Sequence, residues 1–130
     1  MKKTGFTFTD DNPAGFVVKI PAEILSKSML LTALGSGLRF PDYYGTNWDA
    51  LEECIRDLSW LPDHEIILYH VDLPLIDDPA AVKIYLSVLM DAIHKWSSES
   101  THRLKVYFPS RIQTEVEKLV AEATSPDDMS

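Results

Sequence analysis

Asp49 and Glu53 stand four residues apart in a stretch with helical periodicity, so their carboxylates are surface neighbours. Glu52 and Arg56 fall on the same side. Carboxylates so placed could exchange protons as an acid/base pair, or present negative charge to a basic surface. Acid/base work needs one carboxyl held protonated near neutral pH by burial or by a neighbouring charge. Nothing in the sequence marks Asp49 or Glu53 for that, and a convex helix face is a poor place for it. Like charges at this spacing repel by roughly a few tenths of a kcal/mol. Asp49 regains some of this because the helix dipole favours an anion in the first turn. A charged helix face is most simply a solvated one. Tyr43 and Tyr44 stand immediately before the acids, however, and aromatics beside a charge cluster suit a binding surface.

Other reactive side chains are scattered. His64, His70, His94 and His102 form no metal-ligand spacing with Cys54 or with carboxylates. There is no glycine-rich phosphate loop, nucleophile elbow or zinc signature. Cys54 falls on the apolar side of the helix and reads as a structural cysteine. The sequence therefore predicts a protein that is not an enzyme and takes no metal or cofactor.

Two elements must position the acids. Residues 41–46 read as a loop, with Pro41 fixing its own φ and Gly45 free to adopt φ > 0. Residues 47–58 read as a short helix capped by Asn47, whose side-chain oxygen can accept a first-turn N–H. Thr46 with Asp49 also fits a capping-box spacing. At about 100° per residue, Trp48, Leu51, Cys54, Ile55 and Leu58 share the apolar side.

The run Pro41-Asp42-Tyr43-Tyr44-Gly45-Thr46-Asn47-Trp48-Asp49-Ala50-Leu51-Glu52-Glu53-Cys54 resembles the hallmark of the barstar family, intracellular inhibitors of barnase-like ribonucleases. Outside it, the order of elements supports the match. The resemblance implies that this loop and helix plug a nuclease active site, with carboxylates standing in for RNA phosphates. It implies contacts from Tyr43, Asn47, Asp49 and Glu53, with Tyr43 on a catalytic histidine and Glu53 at a phosphate position. Tyr44, Gly45 and Arg56 complete the candidate partner-binding set. Glu53 is one methylene longer than the Asp of the family's namesake. Glu52 replaces a Trp and Trp48 a Leu, and these two would set which nuclease is accepted.

The whole chain is consistent with an acidic binding protein. Its 130 residues suit one domain with one core. Its formal net charge of −8 repels nucleic acid and favours a basic protein partner. One cysteine excludes an internal disulfide and suits a reducing, cytoplasmic setting. Residues 1–10 lack the apolar region of a signal peptide, and no run is long enough to span a membrane. A monomer is expected.

Taken in order, residues 6–8 alternate as a short strand, 10–15 form a turn, and 16–20 read as a buried strand. The first two strands are candidates for a hairpin. Pro21 suits the first turn of a helix reaching about Leu34, with Gly35 as its stop and 35–37 as a flexible lead into the loop. Residues 65–70 form a nearly continuous apolar strand of the kind found in covered parallel sheets. Asp78 and Pro79 open an amphipathic helix through Val82, Tyr85, Leu86, Leu89, Ile93 and Trp96. Within it His94 reads as a surface residue. Residues 103–108 form the last strand, and Ser110 caps a final helix that either covers a sheet face or edge or offers a second partner-binding surface. Long connections that carry helix imply a parallel sheet. The fold expected is α/β and barstar-like. It has a small parallel three-stranded sheet packed by helices, an extra N-terminal strand and a C-terminal helix. Residues 1–123 form one domain and 124–130 an acidic tail.

The function expected is inhibition of a basic ribonuclease or ribonuclease toxin, as an immunity protein that protects its own cell. The alternative is a non-inhibitory interaction or regulatory module that holds another basic protein by the same face. A duplex nucleic-acid mimic is a weaker third reading, because the acids lie in patches rather than in a regular array.

Overall fold

The computed structural model describes residues 4–41, 45, 47–61, 65–97 and 102–123. In chain order the strands are Thr7–Phe8 (β1), Phe16–Ile20 (β2), Glu65–His70 (β3) and Arg103–Phe108 (β4). The helices are Lys27–Gly37 (α1), Trp48–Ile55 (α2), Pro79–Ser97 (α3) and Gln113–Ala123 (α4).

The apolar run in β3 occupies the middle of the sheet, where helices cover it and a strand must be apolar on both faces. Ile66, Ile67 and Leu68 are all buried. β3 pairs in parallel with β2 on one side, Ile67 opposite Val17, and with β4 on the other, Ile67 opposite Lys105. β1 adds to the far edge of β4, Phe8 opposite Phe108. The sheet is thus four-stranded and parallel throughout, in the order β1-β4-β3-β2. It comprises the three strands expected plus the extra N-terminal one. The core lies between this sheet and the helices, with Leu30, Leu34, Leu51, Ile55, Leu86, Leu89 and Phe108 fully buried.

The structure corrects several local expectations. β1 and β2 do not form a hairpin; they lie at opposite edges of the sheet, and a hairpin requires antiparallel neighbours. The first helix does not open at Pro21. Its cap is Ser26, whose Oγ accepts the Met29 N–H at 3.1 Å. Glu23 takes a left-handed φ of 64°, which no helix continues through, and the Ile24 carbonyl is used by the Leu75 N–H at 2.8 Å. Gly35 does not stop this helix, which runs on through Gly37. A Cβ on Gly37 would come within 2.3 Å of Val18 Cγ1, so that glycine lets the helix pack onto β2. Ser110 does not cap α4; a 3-10 turn over Ser110–Ile112 comes first. The helix starting after Asp78 is as expected, with Asp78 Oδ1 accepting the Ala81 N–H at 3.2 Å.

Candidate functional site

α2 is held by its own sequence at one end and by α3 along its length. Asn47 has the extended backbone of a cap, and its Oδ1 accepts the Ala50 N–H at 2.7 Å. Leu51, Cys54 and Ile55 are buried, at about 1.5–3 kcal/mol for each large aliphatic side chain. Trp48 packs by its ring on Tyr85 of α3, 6.4 Å between centroids. At the other end α3 supplies two donors to carbonyls that no helical turn satisfies. Trp96 Nε1 donates to the Ile55 carbonyl at 3.0 Å, and Lys95 Nζ to the Arg56 carbonyl at 2.6 Å. The helix ends at Ile55, three residues short of the expected limit, because Leu58 turns into a left-handed φ of 51° while staying buried.

This anchoring leaves the polar face of α2 outward. Gly45, Asn47, Asp49, Ala50, Glu52, Glu53, Arg56 and Lys95 line one open depression of about 840 Å³. Glu52 pairs with Arg56 at 3.5 Å, both side chains nearly half exposed, and such a pair adds little to stability. Among the described residues, neither Asp49 nor Glu53 makes an ion pair or a side-chain hydrogen bond. A smaller groove of about 350 Å³ continues from Glu52 along α3, past Ile84, Val88 and Asp91. Gly45 does not adopt positive φ, and a Cβ there would sit 3.4 Å from Asn47 Nδ2.

Of the sequence-predicted residues, the fold gathers Gly45, Asn47, Asp49, Glu52, Glu53 and Arg56 around one depression. Trp48 is half-buried against the core and is partly structural. Tyr43 and Tyr44, with the capping alternative at Thr46, lie outside the described residues. Lys95 was not foreseen at the site. It sits beside Trp96, which carries the apolar period, but only the packing of α3 on α2 brings it there. Cys54 is buried, and burial followed by the charges of Glu53 and Asp57 pushes its thiol pKa up, which opposes thiolate chemistry.

Behind Trp48 lies a polar feature that the apolar pattern of β3 concealed. His70 is completely buried and stacks on Phe108, 4.2 Å between centroids. Its Nδ1 is 3.0 Å from the Tyr107 carbonyl, and its Nε2 is 2.6 Å from the Tyr85 hydroxyl. A carbonyl can only accept, so Nδ1 carries the proton and Nε2 accepts from Tyr85. Burial pushes the His70 pKa down to about 4, partly offset by the Tyr107 hydrogen bond. His94 is exposed, as its helical position suggested.

Among the described residues no group of three or more His, Cys, Asp and Glu is arranged to hold a metal ion. No helix among them is long and apolar enough to cross a membrane.

Fold and site together define a parallel α/β domain that presents a capped acidic helix at its surface. The model of one protein family, described as Barstar (barnase inhibitor), matches residues 16–109. That is most of the chain, and the protein belongs to the barstar family. The match opens at β2 and closes just after β4, so β1 and α4 lie outside it. No curated protein and no solved structure matches the chain.

Proposed function

We propose that this protein inhibits a barnase-like ribonuclease by seating the outer face of α2 over the nuclease active site, and is not itself an enzyme. The observation that carries the reading is the state of Asp49 and Glu53. Both project from a helix anchored at its two ends, and neither is neutralised by a described neighbour. A ribonuclease must hold RNA phosphates with cationic side chains. Two carboxylates on a rigid support can meet those cations with little further ordering. Tyr43, Tyr44, Gly45 and Asn47 would frame the contact, and Glu52 with Trp48 would tune it. The net charge of −8 would draw a basic nuclease in from a distance and make association salt-sensitive. The family description, a barnase inhibitor, supports the partner class. One cysteine suits a reducing cytoplasm, where such an inhibitor would protect its own cell.

The test is RNA cleavage by a panel of barnase-like ribonucleases, including any encoded beside this gene, titrated with the protein and with its Asp49→Ala/Glu53→Ala variant. Stoichiometric inhibition by the first and its loss in the second is the expected result. No inhibition of any nuclease by the folded protein would defeat the reading and favour a different basic partner for the same face.

A further inference from the structure

Residues 21–25 leave the C-terminal end of β2, and residues 71–76 that of its neighbour β3. Each segment has a left-handed backbone at a residue other than glycine, Glu23 at φ 64° and Leu75 at φ 58°. A β-carbon makes that conformation unfavourable, so the surroundings must hold it. The Leu75 N–H donates to the Ile24 carbonyl at 2.8 Å, and the Leu75 carbonyl accepts the Asp78 N–H at 2.8 Å. Ile24 and Leu75 are thereby sent into the core. Their successors stay outside, Leu25 62% and Ile76 60% exposed. Met29, in the first turn of α1, is 47% exposed. Among the described residues only Ile84 joins these three as an exposed large apolar side chain, so they are not a random scatter.

Acids flank the exposed pair. Glu23 stands two residues before Leu25, and Asp77 follows Ile76 directly. Among the described residues neither acid makes an ion pair or a side-chain hydrogen bond. Lys27, two residues beyond Leu25, is turned toward α2, its Nζ 6.0 Å from the centre of the Trp48 ring. None of these residues lines the depression beside α2. Apolar side chains on a fixed backbone lose little freedom when they are covered. A second copy is a poor cover, because a two-fold contact would set Glu23 and Asp77 against themselves. We propose that Leu25, Met29 and Ile76 form a second docking surface, whose partner is a protein segment with an apolar stripe flanked by lysines or arginines. An amphipathic basic helix has that chemistry. This surface is independent of the reading of α2.

The probe is a synthetic amphipathic helix of leucine and lysine, acetylated and amidated, with a control peptide in which serine replaces leucine. Calorimetry should show the first binding at least about tenfold more tightly than the second. Leu25→Ser/Ile76→Ser should weaken binding of the first by about tenfold or more, and Glu23→Gln/Asp77→Asn by a few-fold. All four side chains are exposed, so unfolding in urea should be unchanged in both variants. Asp49→Ala/Glu53→Ala should keep peptide affinity within about twofold, since distant sites act independently. Leu25→Ser/Ile76→Ser should in turn leave nuclease inhibition unchanged. Equal binding of the two peptides would reduce the effect to net charge and overturn the proposal. No binding, or binding lost with Asp49 and Glu53 but not with Leu25 and Ile76, would overturn it too. So would sedimentation showing self-association through Leu25 and Ile76, because the cover is then a second copy. If no nuclease is inhibited while the peptides behave as expected, the reading of α2 falls and this one stands.

Discussion

Tyr85 separates two polar regions that follow opposite rules. On its inner side is His70, fully buried, with both ring nitrogens hydrogen-bonded inside the chain. On its outer side, across the Trp48 ring, α2 turns Asp49 and Glu53 outward without a described ion-pair partner. The difference follows from solvent. A buried polar group has no water to fall back on, so it must be satisfied by its own chain. A surface carboxylate is stabilised by water at little cost, so its charge remains available to a partner. Chain stability should accordingly depend on the inner region and partner affinity on the outer one.

The largest expected effect would break the comparison most directly. Asp49→Ala/Glu53→Ala should cost about 4 kcal/mol of affinity for the target nuclease, roughly a thousandfold, if each carboxylate makes one charge-assisted contact. Its unfolding free energy in urea should change by no more than about 0.5 kcal/mol. A variant equally crippled in stability would mean that the outer region is structural after all.

Acid should act on the inner region. The folded pKa of His70, about 4, lies below its ordinary value of 6.5, so the unfolded chain binds the proton more readily. The stability due to neutral His70 is complete above about pH 6.5 and is lost as the pH falls toward 4, about 3 kcal/mol in all. Denaturation followed from pH 8 to 4 should show this slope, and His70→Gln should flatten it. Parallel profiles for the two proteins would remove His70 from the account.

Tyr85→Phe should cost about 2 kcal/mol of stability by leaving His70 Nε2 buried without a donor, at little change in side-chain volume. Asn47→Ala should cost about 1 kcal/mol by removing the α2 cap. This last change sharpens the comparison, because it loosens the support of the acids and not the acids themselves. Affinity measured by calorimetry should fall with it by a few-fold at most, whereas a loss as deep as that of the double variant would mean that Asn47 is itself a principal contact.

Much of this was legible in the chain because it is local. Asn47 before an amphipathic octet announces a capped helix, and Asp78-Pro79 announces the start of α3. The apolar run of β3 predicts a covered parallel strand, and the loop–helix hallmark points to the family that the match over residues 16–109 shows. The errors arose where a local signal competes with a distant contact. Pro21 is a good opening residue for a helix, but the Ile24 carbonyl is used by Leu75, some fifty residues on, and the helix waits for Ser26. Gly35 and Gly37 look like a stop and a flexible link; Gly37 is instead the point where α1 meets Val18.

Residue order by itself determined the faces of α2, its cap, and the parallel character of the sheet, because hydrophobic period and capping chemistry act within a few residues. Only the tertiary structure decided which strands are neighbours, that His70 is a buried neutral partner of Tyr85, and that Lys95 shares a depression with Asp49 and Glu53. Those outcomes depend on pairing between segments about fifteen to a hundred residues apart. They are set by how the helices and strands close-pack around one core, which no local pattern encodes.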